Sequence, residues 1–96
     1  MPPSYQTFTK PVVFRLDAPQ AHHVSLVIRS AKKDGHPAAH TIRKGVDGVW
    51  TIRLEITRGR HLYRFLVDDV PTLDPVSLGT VHDGHHERWS LLEIGY

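Results

Sequence analysis

Gly48-Val49-Trp50-Thr51-Ile52-Arg53-Leu54-Glu55-Ile56-Thr57-Arg58-Gly59-Arg60-His61-Leu62-Tyr63-Arg64-Phe65-Leu66-Val67 is the stretch whose reading decides the fold. Trp50, Ile52, Leu54 and Ile56 alternate with Thr51, Arg53, Glu55 and Thr57, the two-residue period of a strand with one face in a core. Thr57-Arg58-Gly59-Arg60 reads as a tight connection. The chain then returns with Tyr63, Phe65 and Val67 on one face, and the two strands are expected to pair as a hairpin. On the other face of the second strand, Leu62, Arg64 and Leu66 set a guanidinium between two leucines. A face that simply meets water rarely looks like this, so a cover over it is expected.

Working outward, Val12-Val13-Phe14-Arg15-Leu16 is β-branched and aromatic and runs into the turn-forming Asp17-Ala18-Pro19-Gln20-Ala21. In His23–Arg29, Val24, Leu26 and Ile28 share a face opposite His23, Ser25 and Arg29. Ser30 to Ala39 is polar, with Gly and Pro, and reads as a loop, followed by a short strand around His40 to Arg43. Asp68-Asp69-Val70-Pro71 and Asp74-Pro75 read as turns. His82-Asp83-Gly84-His85-His86-Glu87 reads as a polar loop before a last strand, Trp89 to Ile94. There Ser90, Leu92 and Ile94 oppose Trp89, Leu91 and Glu93, and the pattern leaves open which face is buried. With no 3.6-residue stripe longer than a turn or two, the expectation is an all-β, immunoglobulin-like sandwich of about six to eight short strands.

A chain of 96 residues supports one core. Twelve Lys and Arg against ten Asp and Glu leave a net charge of +2, scattered along the chain, which argues against a nucleic-acid partner. No apolar run approaches the ~20 residues of a membrane-spanning helix, and Met1 to Lys10 has no apolar signal stretch. Zero cysteines exclude thiol catalysis and fit a reducing compartment, so a cytoplasmic location is expected. No nucleophile elbow, phosphate loop or Ser-His-Asp order appears, so no enzymatic activity and no cofactor is expected. The carboxylates Asp68, Asp69 and Asp74 sit where turn chemistry alone explains them.

The run Gly48 to Ile56, the Gly59 turn, Tyr63-Arg64-Phe65-Leu66-Val67-Asp68 and Asp74-Pro75 resemble the family 48 carbohydrate-binding modules. These are the glycogen-binding domains found at the N-terminus of isoamylases and in the β subunit of AMP-activated protein kinase. The likeness extends from Val12 to Ile94. It implies an early-set immunoglobulin-like domain over residues 12–96 behind an N-terminal extension, 1–11, that binds an α-1,4-glucan. Arg64 matches the basic residue which the family places in the Tyr-x-Phe strand. The tryptophan of the family's Phe-Asn-x-Trp loop has no counterpart in Ser30 to Ala39, and the second tryptophan is replaced by Val70-Pro71. A nearly gapless alignment puts Trp89 at a sugar-binding position beside Arg64. An alternative alignment matches Leu78-Gly79-Thr80-Val81 to a Leu-Gly-Thr-Val of the family and gives Leu78 and Thr80 the contacts.

Each candidate has a plainer reading. Trp89 also fits an edge tryptophan that covers the end of the sandwich, and Arg64 a surface charge paired with Glu55 or Glu93. Trp50, in phase with Ile52 and Ile56, reads as core. The His82–His86 tract has metal-binding residue types but no recognisable ligand spacing, and no metal is assigned to it. Two functions therefore stand. One is a non-catalytic α-glucan-binding module using Arg64, Trp89, Leu78 and Thr80. The other is a protein-interaction domain that has lost sugar binding and meets a partner or itself through the Leu62-Arg64-Leu66 strip or a sheet edge.

Overall fold

The computed structural model describes residues 8–31, 36–77, 79–82 and 87–95. Among these, nine strands form: β1 (Thr9–Asp17), β2 (Val24–Ser30), β3 (Ala38–Thr41), β4 (Arg43–Lys44), β5 (Val49–Thr57), β6 (Gly59–Val67), β7 (Val70–Thr72), β8 (Thr80–His82) and β9 (Arg88–Ile94). They make two antiparallel sheets, a small one in the order β1-β5-β4 and a large one in the order β3-β2-β6-β9-β8, with β7 also paired to β6. This is the expected all-β sandwich. The first strand starts at Thr9, opposite Thr57, so the sheet takes in the last residues of the segment expected to precede the domain.

Alternation does what the sequence promises on both sides of the core. Phe14, Leu16, Trp50 and Ile56 from the small sheet meet Val24, Leu26, Ile28, Tyr63 and Phe65 from the large one. Trp50 is buried, and its Nε1 donates to the Ala18 carbonyl at 2.9 Å, which satisfies its one polar atom. Tyr63 stands edge-on between Phe14 and Phe65, with centroids 5.1 and 6.3 Å away.

The expected β5–β6 hairpin is not formed. β5 pairs with β1 and β4, and β6 pairs with β2, β9 and β7, so the two strands lie in opposite sheets and face each other across the core. Arg58 alone separates them, and Gly59 takes a positive φ of 122° where the chain crosses over. A side-chain period reports which face is apolar and says nothing about which edge is paired, so an arch between sheets and a hairpin within one look alike in sequence. The short strand expected at His40 to Arg43 likewise splits into β3 in the large sheet and β4 in the small one. Between them Ile42 is buried, and its N–H donates to the Val24 carbonyl at 3.0 Å.

The β6–β7 connection is a two-residue turn in which Asp68 and Asp69 both take positive φ, 49° and 69°. That is the backbone of a type I′ hairpin, which Asp tolerates better than most side chains. The Asp68 carboxylate accepts the N–H groups of His22 and His23 at 2.8 Å each, tying this turn to the start of β2. These bonds, the one from His23 first, hold its carboxyl below the ordinary carboxylate range. Because the folded value is depressed, the stabilisation is present above the unfolded-state pKa and fades as pH falls through the lower folded value. Asp68→Asn is therefore expected to flatten the acid limb of stability, measured as urea midpoints between about pH 5 and pH 2. An acid limb identical to that of the parent protein would contradict this role.

Asp74 does more than turn the chain. It is buried, accepts the Tyr63 hydroxyl at 2.6 Å and the Val76 N–H at 3.1 Å, and donates its own N–H to Ser90 Oγ at 3.0 Å. This buried network joins the turn after β7 to the middle of β6 and β9.

Candidate functional site

The outer face of the large sheet carries Ser25, Val27 and Arg29 from β2, Leu62, Arg64 and Leu66 from β6, and Trp89 and Leu91 from β9. Register arranges these side chains in rows. Thr41, Ser25, Leu66 and Pro71 form one row, Ala39, Val27 and Arg64 the next, and Arg29, Leu62 and Leu91 the third. Small side chains at Ala39 and Ser25 keep the β3–β2 half low, while arginine and tryptophan build the β6–β9 half up.

Trp89 projects from this outer face, yet it is only 5% exposed, as is Leu62. Neither belongs to the main core cluster. On this face two arginines lie over the Trp89 indole. The Arg64 guanidinium carbon lies 4.3 Å from the Trp89 ring centroid and that of Arg29 lies 5.2 Å from it. Guanidinium planes stack on indole with a cation–π attraction that grows as the contact loses water. The Nε atoms of both arginines are buried without a hydrogen-bond partner.

Arg64 pairs with neither Glu55 nor Glu93. Its Nη2 contacts Glu87 Oε1 at 3.3 Å, Glu55 lies beside Arg53, and Glu93 beside Arg60. The Arg64 side chain keeps 15% of its surface exposed. It opens into a recess of about 340 Å³ bounded by Pro71, Thr72, Leu73, Glu87 and Arg88. Arg64 thus lies between the buried indole, which does not itself line the recess, and the recess.

The other candidate residues lie elsewhere. Thr80 pairs with Ser90, and Val81 with Trp89, so Thr80 alternates away from the Arg64 face. Leu78 and the stretch Asp83 to His86 lie outside the described residues. That stretch connects β8 to β9, whose ends are joined by Arg88 Nε donating to His82 Nε2 at 3.0 Å. Among the described residues no cluster of three metal-ligating side chains occurs. No helix among them is long and apolar enough to cross a membrane. Sequence reasoning left Arg29 and Glu87 out of the site. Alternation puts Arg29 opposite Val24, Leu26 and Ile28, but only the β2–β6 pairing carries it to Trp89.

Fold and site together define an immunoglobulin-like β-sandwich whose large sheet bears an arginine-capped tryptophan. No protein-family model and no curated protein sequence matches the chain. Solved structures do. A pullulanase from Anoxybacillus sp. LM18-11, complexed with maltotetraose, superposes with a TM-score of 0.71 at 17% identity over 86% of this chain and 12% of its own. Pullulanase from Bacillus acidopullulyticus gives 0.62 at 17% identity, over 92% of this chain and 11% of its own. The apo pullulanase of Paenibacillus barengoltzii gives 0.58 at 22% identity, over 93% and 14%. At these identities the likeness establishes the fold. The chain corresponds to one small domain's worth of each pullulanase.

Proposed function

We propose that this domain is a non-catalytic carbohydrate-binding module for an α-1,4-glucan such as glycogen or starch, as its resemblance to the family 48 modules implies. The observation that carries the reading is Arg64. It matches the basic position of the family it resembles, lies over Trp89, and its guanidinium, bonded to Glu87, reaches a recess on the outer sheet face. Guanidinium Nη groups donate directed hydrogen bonds to sugar hydroxyls, and Thr72 and Glu87 at the rim add acceptors. Likeness in fold to domain-sized parts of starch-debranching enzymes supports the same reading. Trp89 acts as the floor that holds Arg64 rather than as an open stacking plate. With hydroxyl hydrogen bonds doing most of the binding, affinity for a neutral oligosaccharide is expected to be about millimolar.

Isothermal titration with maltoheptaose tests it. The expected result is saturable binding that Arg64→Ala weakens by at least about tenfold, the weight of one charged hydrogen-bond donor, while the circular dichroism spectrum stays unchanged. Unchanged affinity in Arg64→Ala would remove this face from the proposal.

A protein-interaction reading draws on a different place. β1 has one neighbour, β5, so its other edge is unpaired among the described residues. Val13 and Val76 are exposed beside a recess of about 290 Å³ lined by Val12, Tyr63 and Leu92. Of the Leu62-Arg64-Leu66 strip, Leu62 is buried while Arg64 and Leu66 are partly exposed.

A further inference from the structure

Among the described residues, charge on the outer face does not balance. Its arginines are Arg29, Arg60 and Arg64, and its carboxylates are taken one by one. Glu87 lies 3.3 Å from Arg64, and Glu93 lies 3.6 Å from Arg60. Arg29 has no ion pair among the described residues, yet it is half-buried against the same indole as Arg64, with its Nε desolvated. Two guanidiniums on one ring repel each other, and burial strengthens that repulsion by lowering the local dielectric. A neutral glucan leaves this excess untouched. An oxyanion relieves it, because a phosphate accepts paired N–H bonds from a guanidinium and its charge interacts with both arginines at once.

We infer that the preferred ligand is an α-glucan carrying a phosphate monoester, with Arg29 and Arg64 holding the phosphate over Trp89 and the sugar chain running along the recess and the low β3–β2 side. This rests on the glucan reading above and deepens it. Arg64 serves both parts of the ligand, and Arg29 is specific to the anion.

The experiment compares three probes by titration at low salt: maltoheptaose, a maltodextrin of the same length phosphorylated at C6, and inorganic phosphate. The phosphorylated dextrin is expected to bind on the order of tenfold more tightly than maltoheptaose. Its advantage should shrink as sodium chloride rises, because salt screens charge at the protein surface. In Arg29→Gln the ratio between the two dextrin affinities should fall to about one, whatever happens to the affinity for maltoheptaose itself, and Arg29→Lys, which keeps the charge, should restore part of the ratio. Melting curves of both variants control for loss of the stack. Equal affinity for the two dextrins, with maltoheptaose still bound, overturns the phosphate preference and leaves the glucan reading in place. Inorganic phosphate bound as tightly as the phosphorylated dextrin overturns the phosphoglucan assignment, since the sugar then adds nothing. Failure of all three probes overturns both readings.

Discussion

Trp89→Ala is expected to cost about 3 kcal/mol of folding stability, the low end for a buried tryptophan, and to abolish glucan binding with it. The ring is 5% exposed, so truncation opens a void on the outer face. It also releases Arg29 and Arg64, whose guanidiniums lie on that ring. Freed arginines regain rotamer entropy in water, so the site loses its preorganisation as well as its floor. Trp89→Phe keeps a smaller aromatic plane and should recover part of both losses, since Phe is the weaker cation–π partner. Chemical denaturation separates these effects. A midpoint unchanged in Trp89→Ala would mean that the indole does not hold the outer face together.

Asp74→Ala is expected to destabilise by a similar amount, about 3 kcal/mol, because it leaves the buried Tyr63 hydroxyl without its acceptor and the Val76 N–H without its cap. Tyr63→Phe tests the same network from the other side and should cost about 2 kcal/mol, since the Asp74 carboxylate then loses its shortest donor. The two costs should not add, because each removes the same hydrogen bond. Burial first, and the Asp74 carboxylate next, push the Tyr63 hydroxyl pKa far above its ordinary value. A raised folded-state pKa means that the stabilisation is full below the unfolded-state tyrosine pKa, about 10. It is lost as pH climbs above that value, where the unfolded chain ionises and the folded one does not. Stability of the parent protein should thus fall faster above about pH 10 than that of Tyr63→Phe, and parallel alkaline limbs would contradict the assignment.

Much of this architecture is legible in the chain. The apolar sets of β1, β2, β5 and β6 follow from alternation, and the turn at Asp68-Asp69 and the core position of Trp50 from residue type. What alternation cannot convey is pairing. Arg58-Gly59 reads as a hairpin turn because its shortness suits one, although it carries the chain between sheets. β7 hides within Val70-Pro71-Thr72 because proline reads as turn, and it is tolerated there since β7 pairs with β6 alone.

The site was harder to read for a related reason. Hydropathy counts arginine as polar, whereas Arg29 and Arg64 hold their guanidinium groups over a buried indole. In sequence Trp89 reads either as an edge tryptophan covering the end of the sandwich or as a sugar-binding platform; in the structure it is buried on the outer sheet face beneath Arg29 and Arg64. Thr80 follows from a sequence match alone, and strand register turns it to the other side.

The central claim is that the outer face of the large sheet is a glucan-binding face organised by Arg64 on Trp89. Amide chemical shifts of a nitrogen-15-labelled sample titrated with maltoheptaose test it most directly. The account predicts saturable shifts confined to Val27, Arg64, Leu66, Thr72, Glu87 and Trp89, with the small sheet unmoved. Absence of shifts at millimolar sugar, or saturable shifts clustered around Val13 and Leu92 at the opposite recess, would contradict it.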